Sequence, residues 1–296
     1  MPPTPDPRAG GPAEPTLTNE RSERVRAVRA LSGRSARRRH GQYLVEGPQA
    51  VRELVRHAPG DVRDLYLTPG THARYDEIVT AARAARLRVH VASDDVLAAM
   101  SADAQGVLAV AVPGGARLAS LLAAGPRLVA VLATVRDPGN AGTVVRASDA
   151  AGADGVVLAG ESVDLHNPKV VRSTAGSLYH LPVVTGVAVA EAVAGLRAAG
   201  LLVLAADGRG EHDLDDLLDV AGPDAREHSA GRGGLPDLAR PTAWLFGNEA
   251  WGLREEDVAL ADAVVRVPVR GLAESLNLAT AATVCLYASS RAQRRP

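Results

Sequence analysis

Residues 264–291 read VVRVPVRGLAESLNLATAATVCLYASSR, and the fold turns on this stretch. Val264 to Pro268 is an apolar run of strand length. Arg270 to Ser275 is a polar turn holding Gly271. Leu276 to Ser290 then runs without Gly or Pro, which predicts a helix. The small residues Ala279, Ala281, Ala282 and Thr283 let that helix pack closely on a neighbour. Ser275 stands at the expected N-cap, with Asn277 in the first turn. A strand, a glycine-bearing loop and a helix N-terminus together form a pocket rich in backbone N–H donors. A plain C-terminal strand and docking helix would show the same pattern, so the neighbouring stretches must decide.

Working upstream, residues 242–246 are a buried-strand run. They lead into Gly247-Asn248-Glu249-Ala250-Trp251-Gly252-Leu253, and a helix is predicted over 254–261. Residues 127–134 form another buried strand, followed by Val135 to Arg146. That segment carries a Pro-Gly turn, an asparagine suited to capping (Asn140) and a helix. Arg146 lies about two turns in, on the side away from Val144 and Val145. Between these stretches, strands are predicted at 155–158, 181–185 and 201–206, with helices at 168–177 and 189–199. The alternation predicts a mostly parallel sheet with helices on both faces. Residues 208–241 form a polar, glycine-rich insert, helical over 213–220 and mobile over 225–234. Three loops at the carboxyl edge of the sheet carry Asn140 and Arg146, Gly247 and Glu249, and Gly271, Ser275 and Asn277. That edge is where open α/β sheets bind ligands. Taken singly the motifs are weak. Gly139-Asn-Ala-Gly142 lacks the third glycine of a dinucleotide loop, Glu249 suits a helix-terminal carboxylate, and Arg146 suits a structural ion pair.

The N-terminal part differs in composition. Residues 1–18 are rich in Pro, Gly and Ala and read as a disordered tail. A helix is predicted over 19–31 with a thin stripe of Val25, Val28 and Leu31. Between Arg21 and Arg39 lie eight arginines against one acid, Glu23. Such a one-signed block beside a folded domain suits a phosphate backbone, and Arg21, Arg24, Arg34, Arg37, Arg38 and Arg39 are its candidate contacts. Strands at 43–47, 62–67, 87–91 and 106–112 alternate with helices at 48–57, 73–85 and 94–100. This makes a small α/β domain over 19–112, joined by a linker at 113–126. The chain of 296 residues has room for two domains. Its single cysteine, Cys285, excludes an intrachain disulfide. No apolar run reaches about 18 residues, no metal-ligand cluster is visible, and no basic-then-apolar leader opens the chain. The expectation is a cytoplasmic protein that binds neither membrane nor metal.

Taken together, these residues resemble the SpoU–TrmH family of RNA ribose 2'-O-methyltransferases, in the SPOUT superfamily. Asp137 to Arg146, Leu245 to Leu253 and Val267 to Asn277 match the three family motifs in order and spacing, and the resemblance covers about 127–291. The basic helix and small domain before it resemble the family's ribosomal-protein-like substrate-binding domain, Tyr43 to Gly47 being similar to its opening. The resemblance implies an α/β methyltransferase domain over 127–296 with a deep trefoil knot. It implies S-adenosylmethionine held mainly by backbone groups at Gly247, Val267, Leu276 and Asn277, with Gly271 shaping the loop. It implies catalytic positions at Asn140, Arg146, Glu249, Ser275 and Asn277, and a homodimer. The substrate would be RNA, with 23S ribosomal RNA favoured over transfer RNA. Two rivals stand beside this reading. One is an RNA-binding relative without catalysis. The other is a nucleotide-dependent oxidoreductase, which lacks its three-glycine loop here.

Overall fold

The computed structural model describes residues 14–221 and 235–293. The chain divides into two compact units, Met1–Gly114 with His166–Arg172, and Gly115–Leu165 with Ser173–Pro296.

The first unit is built on four strands: β1 (Tyr43–Glu46), β2 (Val62–Leu67), β3 (Val89–Val91) and β4 (Val107–Ala111). Their order is β1-β4-β2-β3. β4 runs antiparallel to both its neighbours, while β2 and β3 are parallel. One sheet face carries Leu44, Tyr66, Leu108 and Val110, which share a buried cluster with Val25, Val28 and Leu31 of the arginine-rich segment. The predicted first helix is shorter than the pattern suggested, Glu23–Ala30, capped by Ser22. A second helix, Arg34–His40, follows and closes at Gly41 in the left-handed region. The helix expected over 73–85 begins earlier, at Pro69, and breaks at Tyr75 into Pro69–Arg74 and Asp76–Ala84. The tail expectation fails at its end: the Thr16 and Leu17 amides both donate to Val91 O, and Ser93 N donates to Leu17 O. Residues 1–13 lie outside the described residues.

The second unit holds β5 (Leu128–Ala133), β6 (Gly155–Ala159), β7 (Val183–Val187), β8 (Leu202–Ala206), β9 (His212–Asp213), β10 (Thr242–Phe246) and β11 (Ala263–Arg266). The order is β7-β6-β5-β10-β8-β11-β9, and every pairing among the described residues is parallel. Every residue of β5 and β10 is buried, as a strand covered on both faces requires. Helix Pro138–Ala150 packs beside the C-terminal helix Leu278–Ala292. Trp244 in β10 donates from Nε1 to Ser289 Oγ at 2.9 Å, wholly inside the core. The stretch read as a linker contains helix Leu118–Ala123, whose Leu121 lies in this unit's core with Val193 and Leu196. Gly195 sits where a Cβ would come 3.0 Å from Leu122 Cδ1, so a side chain there would require the Leu122 tip to shift. β9 belongs to the insert and was not expected. The helix Leu214–Asp219 after it was. Of the segment expected to be mobile, 225–234, all lies outside the described residues. No described helix is long and apolar enough to cross a membrane.

Candidate active site

The carboxyl ends of β5, β10 and β11 feed the three loops singled out in the sequence. Helix Pro138–Ala150 is capped by Asp137, whose Oδ1 accepts from Asn140 N at 2.7 Å, with Pro138 at N1. Asn140 is therefore not the cap. It sits one turn in, and its amide is free to reach other loops.

It reaches two of them. Asn140 Nδ2 donates to Glu249 Oε1 at 3.2 Å, and Asn277 Nδ2 donates to Asn140 Oδ1 at 3.0 Å. Asn277, not Ser275, caps the last helix. Its Oδ1 accepts from Ala279 N at 2.9 Å and Thr280 N at 3.3 Å. That assignment fixes the rest: with Oδ1 taken by two backbone donors, Nδ2 must face Asn140 Oδ1, which leaves Asn140 Nδ2 for the carboxylate. Three separate loops are thus tied in one polar chain.

The loop after β10 is held by a residue the sequence did not single out. Asn248 is 6% exposed. Its Nδ2 donates to Thr134 O at 2.9 Å, and its Oδ1 accepts from Ala250 N. Its backbone exchanges two 2.9 Å bonds with Gly252, closing the turn. The only sequence signal was its place between Gly247 and Glu249. Gly247 is glycine for the same reason. A Cβ there would come within 2.3 Å of the Gly252 carbonyl carbon and of Leu253 N, which is impossible without moving backbone.

Beside this chain of side chains opens a cleft of about 830 Å³. Gly247, Val267, Leu276 and Asn277 line it, as do Glu249 and Ser275. The apolar wall includes Phe246 and Leu278, and Asp207, Asp213 and Glu274 add further acids. Two hydrogen bonds from Arg209 hold the Asp207 carboxyl below the usual aspartate range. Three expected members fall outside the cleft lining: Asn140, which reaches it only through Glu249 and Asn277, and Gly271 and Arg146. Gly271 is exposed and does not line the cleft, and a Cβ there would meet nothing within 4 Å, so no close approach demands a glycine. Arg146 is exposed and makes no hydrogen bond or ion pair among the described residues. Six residues beyond Asn140, it points about a third of a turn away around the helix.

In the first unit Arg21, Arg24, Arg34, Arg38 and Arg39 are exposed. Arg37 is a correction. It is 6% exposed, and its Nη1 donates to Leu31 O at 3.0 Å and Ser32 O at 2.7 Å. Its charge closes the carbonyl end of the preceding helix, so it is not presented to a phosphate.

Comparison with known proteins follows the same division. Residues 127–287 match the SpoU rRNA Methylase family, and residues 44–114 match the RNA 2'-O ribose methyltransferase substrate binding family. A 23S rRNA (uridine(2479)-2'-O)-methyltransferase of Streptomyces viridochromogenes is 38% identical over 52% of this chain, a match that spans 49% of that relative. The 23S rRNA (guanosine(2553)-2'-O)-methyltransferase RlmP of Bacillus subtilis is 28% identical over 92% of this chain and 97% of its own. The crystal structure of the SpoU methyltransferase AviRb from Streptomyces viridochromogenes with AdoMet superposes with a TM-score of 0.75 at 30% identity, covering 92% of this chain and 98% of that one. With the first family covering more than half its length, the chain belongs to the SpoU rRNA methylase family.

Proposed function

We propose that the chain transfers a methyl group from S-adenosylmethionine to a ribose 2'-hydroxyl of RNA, with 23S ribosomal RNA as the substrate class. The observation that carries this is the Asn140–Glu249–Asn277 chain at the cleft. The two relatives named above are 23S rRNA methyltransferases by name, and the match of the Bacillus subtilis one over 92% of this chain supports the same substrate.

The cleft suits the cofactor. It has room for a nucleoside with an amino-acid tail, an apolar wall for the ring, and acids that favour a cation. When bound, S-adenosylmethionine supplies an electrophilic methyl group on a sulfonium. Gly247, Val267 and Leu276 would offer backbone edges to it, and Asp207 a negative charge. Asn140, Glu249, Ser275 and Asn277 would fix the ribose so that its hydroxyl lies in line. The Arg146 guanidinium serves as a counter-charge for a phosphate or the developing alkoxide rather than as a base.

Arg146 stands outside the cleft, on a surface that also exposes Val284 and Tyr287 of the adjoining helix. Tyr287 Oη donates to Ala150 O at the end of Arg146's helix. A homodimer burying this surface is part of the proposal. So is the trefoil knot that the family resemblance implies.

The test is transfer of tritium from labelled S-adenosylmethionine to ribosomal RNA lacking the modification. Asn140→Ala and Asn277→Ala should each lower the rate at least about a hundredfold. Wild-type rates in both variants would remove the constellation from the mechanism.

A further inference from the structure

The first unit contains a cavity of about 170 Å³ that the catalytic reading leaves unused. It lies where helix Glu23–Ala30 crosses the sheet. Ala27, Val28, Leu31 and Val110 give it an apolar floor. Arg24, His40, Gln42, Asp64 and Tyr66 supply its polar groups.

The sheet register explains the grouping. Asp64 and Tyr66 alternate on β2 and face the same way, and Asp64 pairs with Val110 across to β4. His90 pairs with Tyr66 from β3, and the two rings stack at 5.0 Å between centroids. His90 Nε2 lies 2.9 Å from Asp64 Oδ1, and Arg88 approaches the same oxygen at 3.4 Å. Asp64 is thereby held by one oxygen, while Oδ2 takes no hydrogen bond from any described residue.

Tyr66 carries the argument further. The residue is 2% exposed, yet its hydroxyl makes no hydrogen bond among the described residues. The hydroxyl oxygen is not itself sealed: it opens onto the cavity, with its hydrogen-bonding capacity unused by the described residues. Burial, and Asp64 nearby, push its ionisation up to about 12, so it stays a neutral donor. Gln42, partly exposed at the cavity, has its amide equally uncommitted.

We propose that this cavity is a recognition site for one unstacked base of single-stranded RNA, read along its hydrogen-bonding edge. The volume suits a single ring system, with no room for a whole nucleotide. Gln42 and Tyr66 donate to ring nitrogen or carbonyl acceptors. Asp64 Oδ2 accepts from an exocyclic amine, and these donors beside it fit the ring-nitrogen acceptor next to that amine, an edge that adenine and cytosine carry and uracil lacks, so both kinds of group are needed for the preference. Arg24 and His40, at the cavity's edge, take the adjoining phosphate. Proteins recognise RNA sequence by splaying out unpaired bases in this manner. The inference rests on the RNA-methyltransferase reading only in that the first unit meets RNA.

The experiment is fluorescence anisotropy of labelled rA10, rC10 and rU10 with the full chain, beside Tyr66→Phe and Gln42→Ala. Tyr66→Phe keeps the ring and its stack. Gln42→Ala alters a partly exposed residue, so at least one variant should fold normally. The wild type should bind rA10 or rC10 at least about fivefold more tightly than rU10, and each variant should bring that ratio close to one. Equal affinities in the wild type, no binding to any of the three, or an unchanged ratio in both variants would overturn the proposal. Tritium transfer is measured on the same preparations. A base preference without methyl transfer would sink the catalytic reading and leave this one standing.

Discussion

The two units present polar chemistry in opposite ways. In the second, the polar groups sit on loops beyond the carboxyl ends of β5, β10 and β11, and Asn140, Glu249 and Asn277 bond mainly to one another across loops. In the first, Asp64, Tyr66 and His90 stand on the strands themselves, against the face that forms the core. Loop residues can change without disturbing a core. A sheet-face residue is at once a ligand group and a building block. The contrast teaches that function and stability should separate under mutation in one unit and stay entangled in the other.

The sharpest attempt to break this is Gly247→Ala. Here a loop position is itself framework, because the Gly252–Leu253 backbone fills the space a Cβ needs. We expect a loss of about 3–5 kcal/mol and no cofactor binding by calorimetry, with RNA affinity of the first unit unchanged. Wild-type cofactor affinity would show that the turn can reopen without consequence.

Next in size is a comparison inside the arginine block. Arg37→Ala should cost about 2–4 kcal/mol, since two carbonyls lose a charged donor. It should leave the salt dependence of RNA binding alone. Arg38→Ala with Arg39→Ala should do the reverse: stability within about 0.5 kcal/mol, and a salt slope flatter by about 0.7 per lost phosphate contact. Equal effects on both readouts would erase the distinction between framework and ligand arginines.

The smallest effect concerns Asp207. Arg209 lowers its folded-state value below the ordinary aspartate range. Its stabilising contribution is therefore present above the unfolded value and is lost as pH falls through the folded one. Asp207→Asn should lower the melting temperature slightly at pH 7 and not at all near pH 2. A pH-independent difference would assign the effect to packing instead.

Much of the second unit was legible because β5, β6 and β10 are short, fully buried apolar runs: β10 falls at 242–246, as its composition indicates. β9 was not, because His212–Asp213 has no apolar pattern and is a strand only through its pairing with β11. Ser275 and Asn277 both suit an N-cap. The choice was made by where the exposed loop ends, which no local preference encodes. Arg37 was unreadable for a related reason. Arg34–His40 contains no large apolar residue, so periodicity could not show which arginine turns inward. Asn248 acts through the Thr134 carbonyl, 114 residues away, and only the folded sheet makes them neighbours.

The two tryptophans have a spectroscopic consequence. Trp244 is sealed in the core against Ser289, while Trp251 is 47% exposed in the turn after β10, with the Arg136 guanidinium 5.4 Å from its ring centroid. No other tryptophan exists in the chain. Emission excited at the red edge therefore comes from the second unit alone, as a blue component shielded from acrylamide and a redder component open to it. The redder one sits on the loop that carries Glu249 to the cleft, so a rearrangement of that loop would be read optically without any label. Unfolding of the first unit would pass unseen by the same lamp.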